Sequence, residues 1–139
     1  MSQANVDAVL ASLDGWNRGD VDAWLEGAHP DIEWISEISR QVEGTATVYR
    51  GFEGMRRYWD EWRELWSVEI RVTETVDLGD TVVAFADVHT RGGASGIDLE
   101  RPVAYVFEFG ADGLVRRARA YFDRDEALAA ARGGTPGLP

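Results

Sequence analysis

The sequence predicts an α+β fold in which three N-terminal helices pack on one face of a curved antiparallel sheet. Apolar side chains recur at helical spacing through much of the first half of the 139-residue chain. After Ser67 the apolar period changes from 3.6 to 2, and four alternating segments follow, separated by glycine-containing turns. A short helical pattern comes next. One hydrophobic core is expected, in a single domain over residues 5–132 with a flexible tail at 133–139.

The first two helices are predicted from one apolar stripe and the break that follows it. Residues 5–18 carry apolar side chains three and four positions apart, namely Val6, Val9, Leu10, Leu13 and Trp16. Gly19 suits the left-handed end of this helix. Asp20 is a suitable N-cap for a second, shorter helix through Ala28, and the His-Pro pair after it is expected to end that helix.

A short strand is predicted over residues 31–36, because apolar and polar side chains alternate there. A polar loop is expected from that strand to Gly51. The third helix carries most of its rings on one side. Its predicted inward stripe is Met55, Tyr58, Trp59, Trp62, Leu65 and Trp66.

Four strands are predicted in the second half from alternation with a period of two. Their ranges are 68–78, 81–91, 97–109 and 114–122. The second of these strands is apolar in both phases over its first half, so both of its faces should be covered. Glu74 interrupts an inward apolar phase, and a bulge that turns it outward is expected. Asp123 resembles the N-cap of a helix over residues 124–132.

Composition excludes several classes of function. The net charge is −11 and all 14 basic residues are arginine, so a lysine Schiff base is excluded and nucleic-acid binding is not expected. The chain has no cysteine, which excludes disulfides and thiolate chemistry. Because neither a signal peptide nor a membrane-spanning stretch is recognised, a cytoplasmic protein that does not bind membranes is expected.

Four segments resemble a known family. "WNRGDVDAWLEGAHPDIEW", "YRGFEGMRRYWDEW", "LGDTVVA" and "DGLVRRARAYFDRDEAL" are similar in order and spacing to the SnoaL-like domains of the nuclear-transport-factor-2-like superfamily. The resemblance implies a cone-shaped fold, with a pocket between the concave face of the sheet and the helices, and commonly a homodimer formed through the sheet. The superfamily includes ketosteroid isomerase, polyketide cyclases, limonene-epoxide hydrolase and dehydratases beside noncatalytic domains, so fold alone does not choose the function.

Few catalytic side chains occupy the catalytic positions that this resemblance implies. The carboxylate base of ketosteroid isomerase falls on Ser36, or on Glu37 with a one-residue slip. Its oxyanion-hole tyrosine and aspartate fall on Ser12 and Tyr105, and of these two only Tyr105 offers a useful donor. The acid/base positions of the hydrolase and the cyclases fall on Ala86, Val88 and Ala120. The resemblance therefore disfavours those two mechanisms.

A ligand pocket is predicted where rings on the helices face small aliphatic groups on the strands. The predicted pocket residues are Trp16, Trp34, Ser36, Tyr58, Trp59, Trp62, Val88, Arg101, Val103, Tyr105, Phe107 and Ala120. The opposing interpretation is that most of these rings simply fill the core by tight interdigitation. In that case Tyr105 bonds to the backbone and Arg101 is solvated.

Three functions stay open at this point. The first is binding of a hydrophobic small molecule. The second is a cofactor-independent isomerase or cyclase for a polycyclic or polyketide-like ketone, with Glu37 as base and Tyr105 as donor to the enolate oxygen. The third is a dimeric assembly module that pairs through a sheet face with Phe85, His89, Arg117, Arg119 and Tyr121. No cofactor and no metal are expected, since nucleotide-binding motifs are absent and His29 and His89 lack metal-ligand spacing.

Overall fold

The computed structural model describes residues 3–36, 47–92 and 96–133. Helices and strands follow one another in this part of the chain within these bounds: α1 Gln3–Arg18, α2 Val21–Leu25, β1 Ala28–Ser36, β2 Thr47–Arg50, α3 Gly51–Leu65, β3 Trp66–Asp77, β4 Thr81–Gly92, β5 Asp98–Phe109, β6 Val115–Tyr121 and α4 Arg124–Arg132. The predicted α+β class is confirmed. Helices α1 to α3 lie against one face of a curved, unclosed sheet, and α4 follows the last strand.

The described strands form one sheet in the order β2-β1-β6-β5-β4-β3. Strands β3 to β6 are an antiparallel meander, as predicted. β1 lies parallel to β6, with Trp34 opposite Ala118, and β2 pairs antiparallel with the other side of β1. Strand β6 lies between β1 and β5. The side chains of Trp34 and Tyr105 are on the same face of the sheet, and their rings reach toward each other across β6 with centroids 6.3 Å apart.

Two predicted boundaries in the first half are wrong. The second helix ends at Leu25, and β1 already begins at Ala28. Pro30 therefore lies inside a strand, in a stretch where the register between β1 and β6 is interrupted. A residue without an N–H is tolerated at such an irregularity. His29 lies in β1 and does not close a helix. Its Nδ1 accepts a hydrogen bond from the backbone N–H of Asp31 at 2.9 Å.

Residues 47–50, predicted as part of a loop, form strand β2. Tyr49 lies opposite Trp34 of β1, and its ring packs against Tyr58 with 5.1 Å between centroids. A strand of four residues is too short for its alternation to be distinguished from that of a loop. The rest of the predicted loop, residues 37–46, lies outside the described residues.

Helix α3 carries the predicted aromatic stripe. Met55 is buried, and the three rings that follow it on the stripe are half-buried against the core. The prediction for Leu65 is wrong, since this side chain is 66% exposed. The helix ends at Leu65, and Trp66 already begins β3.

The bulge predicted at Glu74 is present. The register of β3 against β4 shifts between Val72 and Glu74, and the exposed Glu74 carboxylate pairs with Arg124 at 2.9 Å. Asp20 and Asp123 cap α2 and α4 with their side chains, as predicted. The predicted bulge and the two predicted helix caps are therefore confirmed.

Strand β4 is covered on both faces, as its two apolar phases predict. One face belongs to the main core beneath α1 to α3. The other face, with Val83 and Phe85, belongs to a second cluster beneath α4 that includes the fully buried Ala127. Phe85 and Tyr121 were predicted on a face that pairs subunits. They do lie on the outer face, opposite the main core, but α4 of the same chain packs against their cluster and they are only 6% and 5% exposed. Subunit pairing through this face stays a prediction.

Candidate functional site

A cavity of about 110 Å³ lies between the helices and the concave face of the sheet. Its wall combines side chains of α1 to α3 with side chains of β1 and of β3 to β6. Val82 and Ala84 of β4 belong to the same core but do not line the cavity. The two layers are therefore in contact over part of their area and separated over the rest.

Four rings form much of the helical side of the cavity: Trp16, Trp24, Tyr58 and Trp62. The centroid of Trp16 lies 5.3 Å from that of Trp24 and 6.0 Å from that of Tyr58, distances at which aromatic faces and edges attract. Trp59, a predicted pocket residue, instead packs against Trp16 and Trp24 at 5.0 and 5.2 Å. It does not line the cavity, and it supports the wall from behind.

On the sheet side, rings of β5 lie beside alanines of the neighbouring strands. Tyr105 lies between Ala84 of β4 and Ala120 of β6, and Phe107 lies opposite Ala118 of β6. A methyl group does not fill the space above the sheet that a ring beside it fills. This cross-strand pattern of large and small side chains leaves room beneath the helices.

Four hydroxyl groups on the cavity wall form no hydrogen bond of ordinary geometry with a described residue, namely those of Ser36, Tyr58, Thr90 and Tyr105. The indole N–H of Trp34 is buried. It lies close enough to the Tyr58 oxygen to lower the pKa of that hydroxyl. The Trp34 ring centroid is 5.4 Å from that of Tyr58 and 6.3 Å from that of Tyr105, so the three rings are neighbours.

Both tyrosines are neutral hydrogen-bond donors. Burial raises the pKa of each hydroxyl well above its ordinary value of 10.0, because the phenolate would lose its hydration. The nearby Tyr105 hydroxyl raises the pKa of Tyr58 further. Neither residue is therefore ionised at neutral pH.

Of the two candidates for the base position, Ser36 lies at the cavity. It is 3% exposed and lines the wall beside Trp34. Glu37, predicted as the catalytic base, lies outside the described residues. A serine hydroxyl offers one more hydrogen-bonding group but no carboxylate.

Arg101 does not line the cavity, contrary to the prediction. Its side chain is exposed, and its guanidinium lies 3.9 Å from the centroid of the Phe122 ring, which does line the cavity. Strand phase alone placed Arg101 on the inner side. Its charge remains in solvent while its planar group covers Phe122.

Ten of the twelve predicted pocket residues line the cavity, namely Trp16, Trp34, Ser36, Tyr58, Trp62, Val88, Val103, Tyr105, Phe107 and Ala120. The sequence reasoning missed Trp24 and Phe122, which also line it. Phe122 shares the phase of Ala118 and Ala120, and that signal could have found it. Trp24 lies on a helix of five residues, which is too short to display a stripe.

No charged side chain lines the cavity among residues 3–36, 47–92 and 96–133. The same part of the chain contains no group of three or more acidic or histidine side chains that could hold a metal ion. Of the helices described, none is both long and apolar enough to cross a membrane. The described wall can hold an apolar molecule and offer it hydrogen bonds, and it supplies no carboxylate or imidazole to move a proton.

The comparisons with known proteins agree with this architecture. A family model of the SnoaL-like domain matches residues 9–118. TerC, crystallised with polyporic acid, is 22% identical, with a TM-score of 0.77 over 95% of this chain and 100% of that chain. An NTF2-like protein of unknown function from Burkholderia pseudomallei is 17% identical, with a TM-score of 0.78 over 94% and 98% of the two chains.

A third solved structure, from Jannaschia sp., is provisionally assigned as a SnoaL-like polyketide cyclase. It is 25% identical, with a TM-score of 0.73 over 98% of both chains. No curated protein is significantly similar in sequence. These similarities define the architecture around the cavity and leave its ligand open.

Proposed function

The chain belongs to the SnoaL-like domain family, and we propose that it binds a small hydrophobic molecule in the cavity between the helices and the sheet. The observation that carries the proposal is the wall of that cavity, which is made of rings and small aliphatic groups with no charged side chain among the described lining residues. Each Å² of apolar ligand surface removed from water there contributes roughly 25 cal/mol.

The size of the cavity limits the ligand. An engineered apolar cavity of about 150 Å³ binds benzene, so a cavity of about 110 Å³ suits one ring with small substituents. A polycyclic ketone requires the wall to move. TerC was crystallised with polyporic acid, which supports the general ability of this fold to hold a ligand and does not name the ligand of this chain.

The two alternatives have less support. Tyr105 is available as the donor that an isomerase or cyclase requires, but no described lining residue carries a carboxylate, and Glu37 lies outside the described residues. The assembly module is disfavoured because Phe85 and Tyr121 pack in the cluster beneath α4. Catalysis, a homodimer formed through the sheet and a cytoplasmic location stay predictions.

Isothermal titration calorimetry with toluene tests the proposed function. We expect saturable binding to the wild-type protein and a higher unfolding temperature in the presence of toluene. Ala120→Leu adds bulk beside Tyr105 and should weaken toluene binding by about tenfold or more, because it occupies part of the space. Ala129→Leu adds the same bulk at an exposed position of α4 and should bind as the wild type does.

Two results would contradict the proposal. One is the absence of binding for benzene, toluene and ethylbenzene at their solubility limits. The other is undiminished toluene binding by a folded Ala120→Leu variant, which would place the ligand outside this cavity.

A further inference from the structure

Arg101 and Thr90 flank the end of the cavity nearest to Phe122, called the mouth below, and we propose that they bind the carboxylate of an aryl acid whose ring occupies the cavity. The inference rests on the proposed function, because the ring must enter the apolar cavity while the carboxylate stays at the mouth. It adds a charged group to the ligand and defines the end of the cavity at which that group lies.

Arg101 lies where the inner face of strand β5 passes from the core to solvent. The residues from Asp98 to Pro102 are exposed, and burial begins at Val103, which lines the cavity. Val88, the cross-strand neighbour of Arg101, lines the cavity too. The Arg101 guanidinium lies 3.9 Å from the centroid of the Phe122 ring, which belongs to the same wall. The charge of Arg101 is therefore held beside the cavity and remains hydrated.

The charge of Arg101 is not used within the described part of the chain. Arg101 has no ion pair with a described residue, although the chain has 25 acidic and only 14 basic side chains. Its sequence neighbour Glu100 points to the outer face of the sheet and pairs with Arg71. Five other arginines of the sheet lie 3.5 Å or less from a carboxylate, namely Arg50, Arg71, Arg91, Arg116 and Arg117. The guanidinium of Arg101 is therefore available to an anion that comes from outside the chain.

Thr90 supplies a second donor at the mouth. Its side chain lines the cavity, and its hydroxyl forms no hydrogen bond with a described residue. Thr90 follows Val88 by two residues on β4, so it lies diagonally across from Arg101, at a Cα separation of roughly 7–8 Å in a regular sheet. The guanidinium donates through a planar fork and the hydroxyl through one O–H, so a carboxylate between them can accept from both.

The position of these donors defines the class of ligand. Val103 lies two residues from Arg101 on β5, a rise of about 7 Å along the strand, so a ring over Val103 reaches Arg101 through two or three carbon atoms. A carboxylate deeper in the cavity would lose its hydration without meeting a cation among the described lining residues. At the mouth it keeps part of its hydration and meets Arg101. A single negative charge is favoured over the double charge of a phosphate ester, because the net charge of −11 repels anions.

The inference can be tested with 3-phenylpropanoate and 3-phenylpropanamide, which have nearly the same shape and differ in charge. Affinities for both compounds are measured by calorimetry in the wild-type protein, in Arg101→Gln and in Arg71→Gln. We expect Arg101→Gln to weaken 3-phenylpropanoate about fivefold, the effect of one exposed ion pair, and to change 3-phenylpropanamide by less than about twofold. Arg71→Gln removes the same charge from the outer face of the sheet, where Arg71 pairs with Glu100, and should leave both affinities unchanged.

Further readouts follow each donor directly. In a ¹H–¹⁵N spectrum the cross-peak of the Arg101 Nε–H is identified by its loss in Arg101→Gln, and 3-phenylpropanoate should shift it whereas 3-phenylpropanamide should not. Thr90→Val removes the hydroxyl with little change of shape and should weaken 3-phenylpropanoate about threefold. Added sodium chloride should weaken 3-phenylpropanoate more in the wild-type protein than in Arg101→Gln, because salt screens exposed charges.

The outcomes distinguish the two proposals. Binding of toluene or 3-phenylpropanamide, together with an undiminished affinity of Arg101→Gln for 3-phenylpropanoate, overturns the carboxylate site and leaves the proposed function standing. Equal losses for the acid and the amide in Arg101→Gln also overturn the site, because they report a change in packing around Phe122. Failure of toluene, 3-phenylpropanamide and 3-phenylpropanoate to bind the wild-type protein overturns the proposed function and the carboxylate site together.

Discussion

Tyr105 and Tyr49 are both buried tyrosines, but their hydroxyl groups meet different surroundings. The Tyr49 hydroxyl donates to the Glu61 carboxylate at 2.9 Å, whereas the Tyr105 hydroxyl has no partner among the described residues and its side chain lines the cavity. A hydroxyl that faces the cavity without a protein partner adds little to the stability of the folded protein. At the scale of single residues, Tyr105 is therefore better suited to a ligand than to stability.

This difference predicts opposite effects of the same substitution at the two positions. Tyr105→Phe should leave the free energy of unfolding of the ligand-free protein unchanged or raise it by up to about 1 kcal/mol. Tyr49→Phe should lower it by about 1 kcal/mol, because a hydrogen bond is lost. Urea denaturation measures both values. A clear loss of stability in Tyr105→Phe would mean that its hydroxyl is already bonded in the folded protein.

The buried tyrosines also predict how stability depends on pH. In the unfolded chain they ionise near 10.0, and burial raises the pKa of folded Tyr58 and Tyr105 above that value. Their contribution to stability is complete below the unfolded pKa and is lost as the pH rises through the range up to the folded pKa. We expect the urea midpoint to fall above about pH 10. The decline should be shallower in the double variant Tyr58→Phe, Tyr105→Phe, and parallel declines would refute this assignment.

At the scale of elements, α1 and α2 are in tight contact at Gly15. A Cβ atom at this position would lie 2.6 Å from the backbone nitrogen of Trp24 and 3.0 Å from the carbonyl carbon of Ala23. Those atoms belong to the backbone of α2 and cannot move alone. Trp24 in turn holds its ring against Trp16 in the wall of the cavity, so this approach sets the position of one wall.

Gly15→Ala should therefore destabilise the protein despite the better helix propensity of alanine. We expect a loss of about 1–3 kcal/mol, since α2 has to shift. Gly27→Ala is the matched control, because its Cβ would meet no atom closer than 3.8 Å. Chemical denaturation of both variants checks this prediction, and equal stabilities would show that α2 adjusts freely.

The elements that could be predicted from the sequence are those in which many residues share one physical environment. The stripe of α3 and the two apolar phases of β4 are examples, because burial repeats along each element. Strand β2 could not be predicted because its four residues are too few to show an alternation. The start of β1 could not be predicted because the partner of Ala28 is Val115, far away in sequence. Pro30 shows the limit of local rules, since the interrupted register of the sheet accommodates it within β1.

At the scale of the whole molecule, the existence of a hollow was open until the two layers were seen together. Large rings facing alanines are compatible with a cavity and with tight interdigitation. The register that places Ala120 beside Tyr105 and Ala118 beside Phe107 is what leaves the space. Arg101 and Trp59 were assigned to the pocket by phase alone. Their actual positions depend on how Phe122 and Trp16 pack around them.

The outer face of the sheet carries the prediction for assembly. Helix α4 covers the part around Phe85, while the part formed by β3 to β5 carries cross-strand ion pairs such as Arg71 with Glu100 at 3.5 Å. A mixed, polar interface is compatible with such a surface. We expect a homodimer in sedimentation velocity experiments. A monomer at tens of micromolar would show that the outer face of the sheet is not used to pair subunits.

The cavity itself is tested most directly by X-ray diffraction from a crystal pressurised with xenon, which enters apolar cavities without any assumption about the natural ligand. The account predicts a xenon atom enclosed by Tyr58, Tyr105 and Phe107. Rings of α3 in direct contact with Ala118 and Ala120, with no xenon between them, would contradict it.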